Sequence, residues 1–98
     1  MAEEVWELEW DEVNEEHVSE HGFSIREINQ VLANFNITVR NRQKRRAEFL
    51  LIGRTHGGQI VAVPVRKTRT KGTWRPVTAH PPTKAQQRVF ERAERSRP

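Results

Sequence analysis

The chain of 98 residues contains no cysteine, no tyrosine and a single methionine. Without cysteine neither a disulfide framework nor a thiolate metal site can form, and a reducing compartment, the cytoplasm, is the expected setting. Without tyrosine, no phenol can act in catalysis. No apolar run is long enough for a membrane span or a signal-peptide core. Glycine and proline are sparse, five of each. The length suits one domain over residues 1–98, with 1–4 and 96–98 expected to fray at its ends.

Charge is abundant and unevenly placed. Nine of the thirteen acids lie in residues 1–20, which hold no Lys or Arg; the other four share residues 21–98 with all seventeen Lys and Arg, a net of +13. That asymmetry points to a polyanion-facing body beside an acidic N-terminal segment. The acidic segment is expected either to tune access to the basic body or to contact a basic partner.

Two apolar runs, Ala47–Gly53 and Ile60–Val65, are separated by a short loop containing Gly57-Gly58, the pattern of a β-hairpin. Their near-continuous apolarity suggests strands covered on both faces. Pro64 removes one amide from the second run, so its side there should be an edge or a bulge. A third strand is expected over Thr73–Ala79, and Val5–Trp10 alternates so that Trp6, Leu8 and Trp10 share a face. The stretch from Asn36 to Arg46 reads as either an extra edge strand or a loop.

Helices have clear start signals. Asp11 can cap a helix through about Glu20, with Asn14, His17, Val18 and His21 on one stripe. Ser24 and Glu27 form a capping box, and Ile28, Val31, Leu32 and Phe35 continue an apolar stripe behind it. Thr83 and Gln86 form a second box opening a last helix, whose buried candidates are Ala85, Val89, Phe90 and Ala93. The expected fold is α+β: an antiparallel three- to four-stranded sheet packed by two N-terminal helices and one C-terminal helix.

His17-Val18-Ser19-Glu20-His21 matches the inverted zinc-peptidase signature H-x-x-E-H. A catalytic zinc needs a third protein ligand, and none stands at a suitable spacing. The two histidines read instead as half-buried packing or a site edge, and no metal or other cofactor is expected.

The basic clusters 42–46 and 66–71 suit phosphate oxygens. Hairpin geometry places Arg46 and Arg66 near one sheet end, with Lys67 beside them. Trp74 is either a base-stacking surface or a buried aromatic. Metal-free RNA cleavage needs a base for the 2′-hydroxyl, an acid for the leaving 5′ oxygen and cations for the phosphorane. His80, just before a helix N-terminus, and His21 are the proton-transfer candidates; Arg54, Arg75 and Lys84 are the cations.

These segments, in order, resemble BrnT-type toxins of type II toxin–antitoxin systems: Trp10-Asp11, Asn14–Val18, His21–Ser24, Ile52–Thr55, Gly57-Gly58, Val61–Val65 and Trp74–Ala79. The resemblance covers about residues 6–90. It implies a RelE-like fold and an endoribonuclease that cleaves RNA, messenger RNA foremost, without metal and so inhibits translation. It also implies a ribbon-helix-helix antitoxin as partner, DNA being met only through that antitoxin. Arg54 and Thr78 match the family pattern. His80 stands where the family carries Arg, and Phe90 where its closing helix commonly carries Tyr. The alternative is a non-catalytic RNA- or protein-binding module that keeps the fold.

Overall fold

The computed structural model describes residues 4–42 and 47–97. Its elements run β1 (Glu7–Leu8), α1 (Glu12–Glu20), α2 (Ile25–Ala33), β2 (Asn36–Arg40), β3 (Phe49–Arg54), β4 (Ile60–Lys67), β5 (Thr73–Pro76) and α3 (Lys84–Ser96). The α+β class and the three helices agree with the sequence reading. The sheet does not: it has five strands in the order β1-β5-β4-β3-β2 and is mixed, because β1 pairs parallel to β5. Two long-range facts widen it. The 36–40 segment pairs fully with β3, and β1 crosses the molecule to reach β5 instead of a sequence neighbour.

Each helix starts where its cap dictates. Asp11 accepts from the amides of Val13 and Asn14, and the Asn14 side chain accepts from the Asp11 amide. Ser24 with Glu27 and Thr83 with Gln86 close the two other boxes. Asn14 is buried and also donates to the carbonyls of Glu9 and Pro76, at 2.9 Å each, tying α1 to both β1 and β5.

Helices cover both sheet faces, as the apolar strands require. On one face Val18 of α1 and Ile28 and Val31 of α2 meet Leu51, Val61, Val63, Val65 and Trp74. On the other, Phe90 of α3 sits over Leu50, Ile52 and Ala62. Phe35 turns round the β2 edge to join this second cluster, its ring centroid 5.8 Å from that of Phe90. The α3 stripe differs from expectation: Phe90 is buried and Ala93 half-buried, but Ala85 and Val89 are exposed, because only β2 and the adjoining half of β3 and β4 lie beneath the helix. The helix runs through Ser96, whose hydroxyl donates to the Arg92 carbonyl.

The strand expected over Thr73–Ala79 is broken by a bulge. Val65 pairs with Pro76, whereas Ala62 pairs with His80, so three β4 steps face four on the other side. Pro64 lies between these pairs; it accepts from the Val77 amide but has no amide to return. The missing donor foreseen at Pro64 thus coincides with the extra residue.

Candidate nucleic-acid interface

Register locates the charge. Arg40, Phe49, Val65 and Pro76 form one row across four strands. Past that row lie the loop that follows β2, entered through exposed Arg42, and the β4–β5 turn with exposed Arg66, Lys67, Arg69 and Lys71. Arg42 and the cations of the β4–β5 turn therefore emerge from the same end of the sheet. Arg46 lies outside the described residues.

Arg66 and Arg75 are directly opposed across β4 and β5, on the face that carries α3. Like charges so placed repel. The N-terminal acids relieve this: Arg75 donates through Nη1 to Asp11 Oδ2 at 2.5 Å and through Nη2 to Asp11 Oδ1 at 3.0 Å, with Glu9 at 3.9 Å. The Arg75 guanidinium, with the Asn14 amide behind it, holds the Asp11 carboxyl down at about 2. The acidic segment thus lies directly against one of the predicted catalytic cations.

His80 faces the same side, opposite Ala62. Its Nδ1 is 2.7 Å from the Pro81 carbonyl. A carbonyl only accepts, so Nδ1 carries the proton and the neutral ring keeps its Nε2 lone pair for another proton. Four β4 residues separate Ala62 from Arg66, about 13 Å along the strand. Lys84 is exposed at the first position of α3.

Comparison of the chain with family models, with curated proteins and with solved structures finds no match. The arrangement of its own residues therefore carries the functional reading.

Arg54 does not join Arg75 and His80. It pairs beside Ile60 at the far end of the sheet, six β4 residues from Arg66, or about 20 Å along the strand. Its guanidinium is taken by Glu94 of α3, at 2.8 and 3.0 Å, and by the Gly58 carbonyl at 2.7 Å. His21 is exposed at the C-cap of α1, which packs on the opposite sheet face, so it is not brought to His80. The other histidine of that motif, His17, faces the Val77 carbonyl through Nδ1 at 3.2 Å. Among the described residues no three His, Cys, Asp or Glu side chains are grouped to hold a metal ion.

Trp74 is a core residue, 3% exposed and edge-on to Phe49 with ring centroids 5.4 Å apart. It has no face to offer a base, so of the two readings open from the sequence the buried aromatic holds and the stacking surface does not. Lys67 lies over it instead, its amine 6.0 Å from the ring. The Thr78 hydroxyl, inside the bulge, is buried and without a hydrogen bond among the described residues. No helix among the described residues is long and apolar enough to cross a membrane.

Sequence reasoning missed the anionic partners of both arginines. Glu94 falls in the last turn of a helix that carries four Lys/Arg and one other acid, Glu91, and Asp11 is already accounted for as a cap. Neither position announces a contact with a residue 40 or 64 places away.

Proposed function

We propose that the chain is a metal-independent endoribonuclease toxin, similar in plan to the BrnT-type and RelE-like ribonucleases, that acts on messenger RNA and is neutralised by a ribbon-helix-helix antitoxin. The observation that carries this reading is the arrival of Arg42 and the β4–β5 turn cations at one sheet end, with Arg66, Arg75 and His80 on a single face below it. The loops supply phosphate contacts and so fix RNA register without reading sequence. His80 Nε2 accepts the 2′-hydroxyl proton. The 2′ oxygen bonds to phosphorus, the P–O5′ bond breaks, and the 5′ oxygen leaves with a proton taken from water, giving a 2′,3′-cyclic phosphate. Arg66 and Arg75, whose strand positions lie about 13 Å from that of His80, hold the phosphates that flank the scissile one. Arg54 is reassigned from the reacting centre to the anchoring of α3.

The test is induced expression, together with incubation of labelled RNA in chelator. Growth should stop, RNA should be cut to cyclic-phosphate ends, and His80→Ala should slow cutting on the order of 100-fold. Uncut RNA and unchanged growth would remove the nuclease reading.

A second reading is supported by the two carboxylate pairs. With Arg75 held by Asp11 and Arg54 by Glu94, the fold can serve as an RNA-binding module without catalysis. In that case RNA is retained uncut and growth continues.

A further inference from the structure

Of the chain's three tryptophans, Trp6 alone is largely exposed, at 61%. It precedes β1 at the basic end of the sheet and was expected to rest on the core with Leu8 and Trp10. Instead it overhangs the sheet end and lies against the backbone of Gly72, in the β4–β5 turn.

Several independent contacts hold it there. The amides of Trp6 and Glu7 donate to the Gly72 carbonyl at 2.8 and 3.1 Å. The indole Nε1 donates to the Glu4 carboxylate at 3.0 Å, while the Glu4 carbonyl accepts from Trp74 Nε1 at 3.1 Å. Gly72 has φ +84°, and a Cβ placed on it would fall 2.2 Å from Trp6 Cε3 and 2.7 Å from Cδ2. The benzo ring therefore sits directly on the glycine backbone, where any other residue would displace it. An exposed indole fixed in place loses little freedom when a ligand lands on it.

Its surroundings are cationic. Trp6 and Gly72 line a hollow of about 670 Å³ together with Lys67, Arg69 and Lys71, and Glu4 is the one acid among its described lining residues. Cations spaced round an open aromatic face match a strand that alternates phosphates with flat bases. An acidic peptide would meet the cations but leave the ring without a stacking partner.

We propose that Trp6, seated on Gly72 and ringed by the β4–β5 cations, is a base-stacking platform for single-stranded RNA. This rests on the RNA reading above and adds a second binding position to it, round the sheet end from Arg66 and His80. One base stacks on the indole while the flanking phosphates run along Lys67, Arg69 and Lys71. RNA continuing over the turn reaches Arg66 on the other face.

Tryptophan fluorescence during titration with a short 2′-O-methyl oligouridylate, which cannot be cleaved, tests this apart from catalysis. The wild-type chain should bind with quenching of its emission, since Trp74 is buried and Trp10 half-buried. Trp6→Leu should bind at least about tenfold more weakly and without quenching, and Trp6→Phe should recover most of the affinity. Both variants should melt like wild type, and His80→Ala should keep the quench. If Trp6→Leu binds as tightly as wild type, the platform is wrong while the RNA reading stands. If the wild-type chain does not bind the oligonucleotide, both fall. Trp6-dependent binding of a polyglutamate peptide in place of the oligonucleotide would also overturn it and assign the surface to an acidic protein.

Discussion

Arg54 and Glu94, forty residues apart in the chain, are joined by two parallel hydrogen bonds of 2.8 and 3.0 Å that fasten the end of β3 to the last turns of α3. The Arg54 guanidinium also lies 5.8 Å from the Phe90 ring centroid, so one side chain serves the helix by charge and by packing. Paired this way, Glu94 stays ionised below the usual carboxylate range, with the Arg54 hydrogen bond the largest cause.

Arg54→Ala is therefore expected to act on stability. Both partners are about one-third exposed, so solvent screens the pair and the expected loss is about 1 kcal/mol, or roughly 4–8 °C in melting temperature. Arg66→Ala should do the opposite. Melting should hardly move, but the slope of log affinity for single-stranded RNA against log salt should shrink by about 0.7, one phosphate contact. If instead Arg54→Ala flattens the salt dependence and leaves melting unchanged, the assignment of the two arginines is reversed.

What the sequence made legible was local. Both capping boxes, the Gly57-Gly58 hairpin and the trouble at Pro64 depend on neighbours within a few positions, and each forms as its residues dictate. The location of β1 depends on Glu7 finding Thr73 and Leu8 finding Trp74, pairings that a two-residue strand cannot encode by pattern. The tryptophans show the same limit. Trp6 and Trp74 are both apolar aromatics in short strand-like segments, yet only the second falls inside the sheet, and the first lies past its end, seated on Gly72. For the site, the common face of Arg66, Arg75 and His80 comes from strand register, where the sequence reading had grouped Arg54 with Arg75 and His80. The removal of Arg54 to the far end followed from counting register, which the loop lengths alone left open.

The Asp11–Arg75 contact gives a pH dependence with a definite sign. The Asp11 carboxyl lies at about 2 in the folded chain against an ordinary 3.8. A lowered carboxyl stabilises the fold fully above its unfolded value, and that contribution disappears as pH falls through the folded one. Denaturant midpoints measured from about pH 5 down to about pH 2 should fall more steeply for wild type than for Asp11→Asn, which can still cap α1. At neutral pH the same substitution releases Arg75, and RNA affinity should rise. Parallel acid profiles for the two proteins would show that the pair contributes nothing to folding.

Phe90 is the one fully buried side chain that α3 contributes to the described structure, at 0% exposure over Leu50, Ile52 and Ala62. A thirteen-residue helix is marginal by itself in water, so its docking depends on this ring and on the Arg54–Glu94 clamp. Phe90→Ala should cost about 3–5 kcal/mol, a large share of the roughly 5–15 kcal/mol that holds a small domain together. Because the ring also roofs the strand segment opposite His80, loosening it should slow RNA cutting even at temperatures where β3 and β4 remain paired. Urea titration with amide exchange read on α3 separates the effects: early exchange across Lys84–Ser96 with a protected β3–β4 hairpin is the expected outcome. A loss under about 1 kcal/mol, with α3 still protected, would mean that the helix is held by contacts other than this ring.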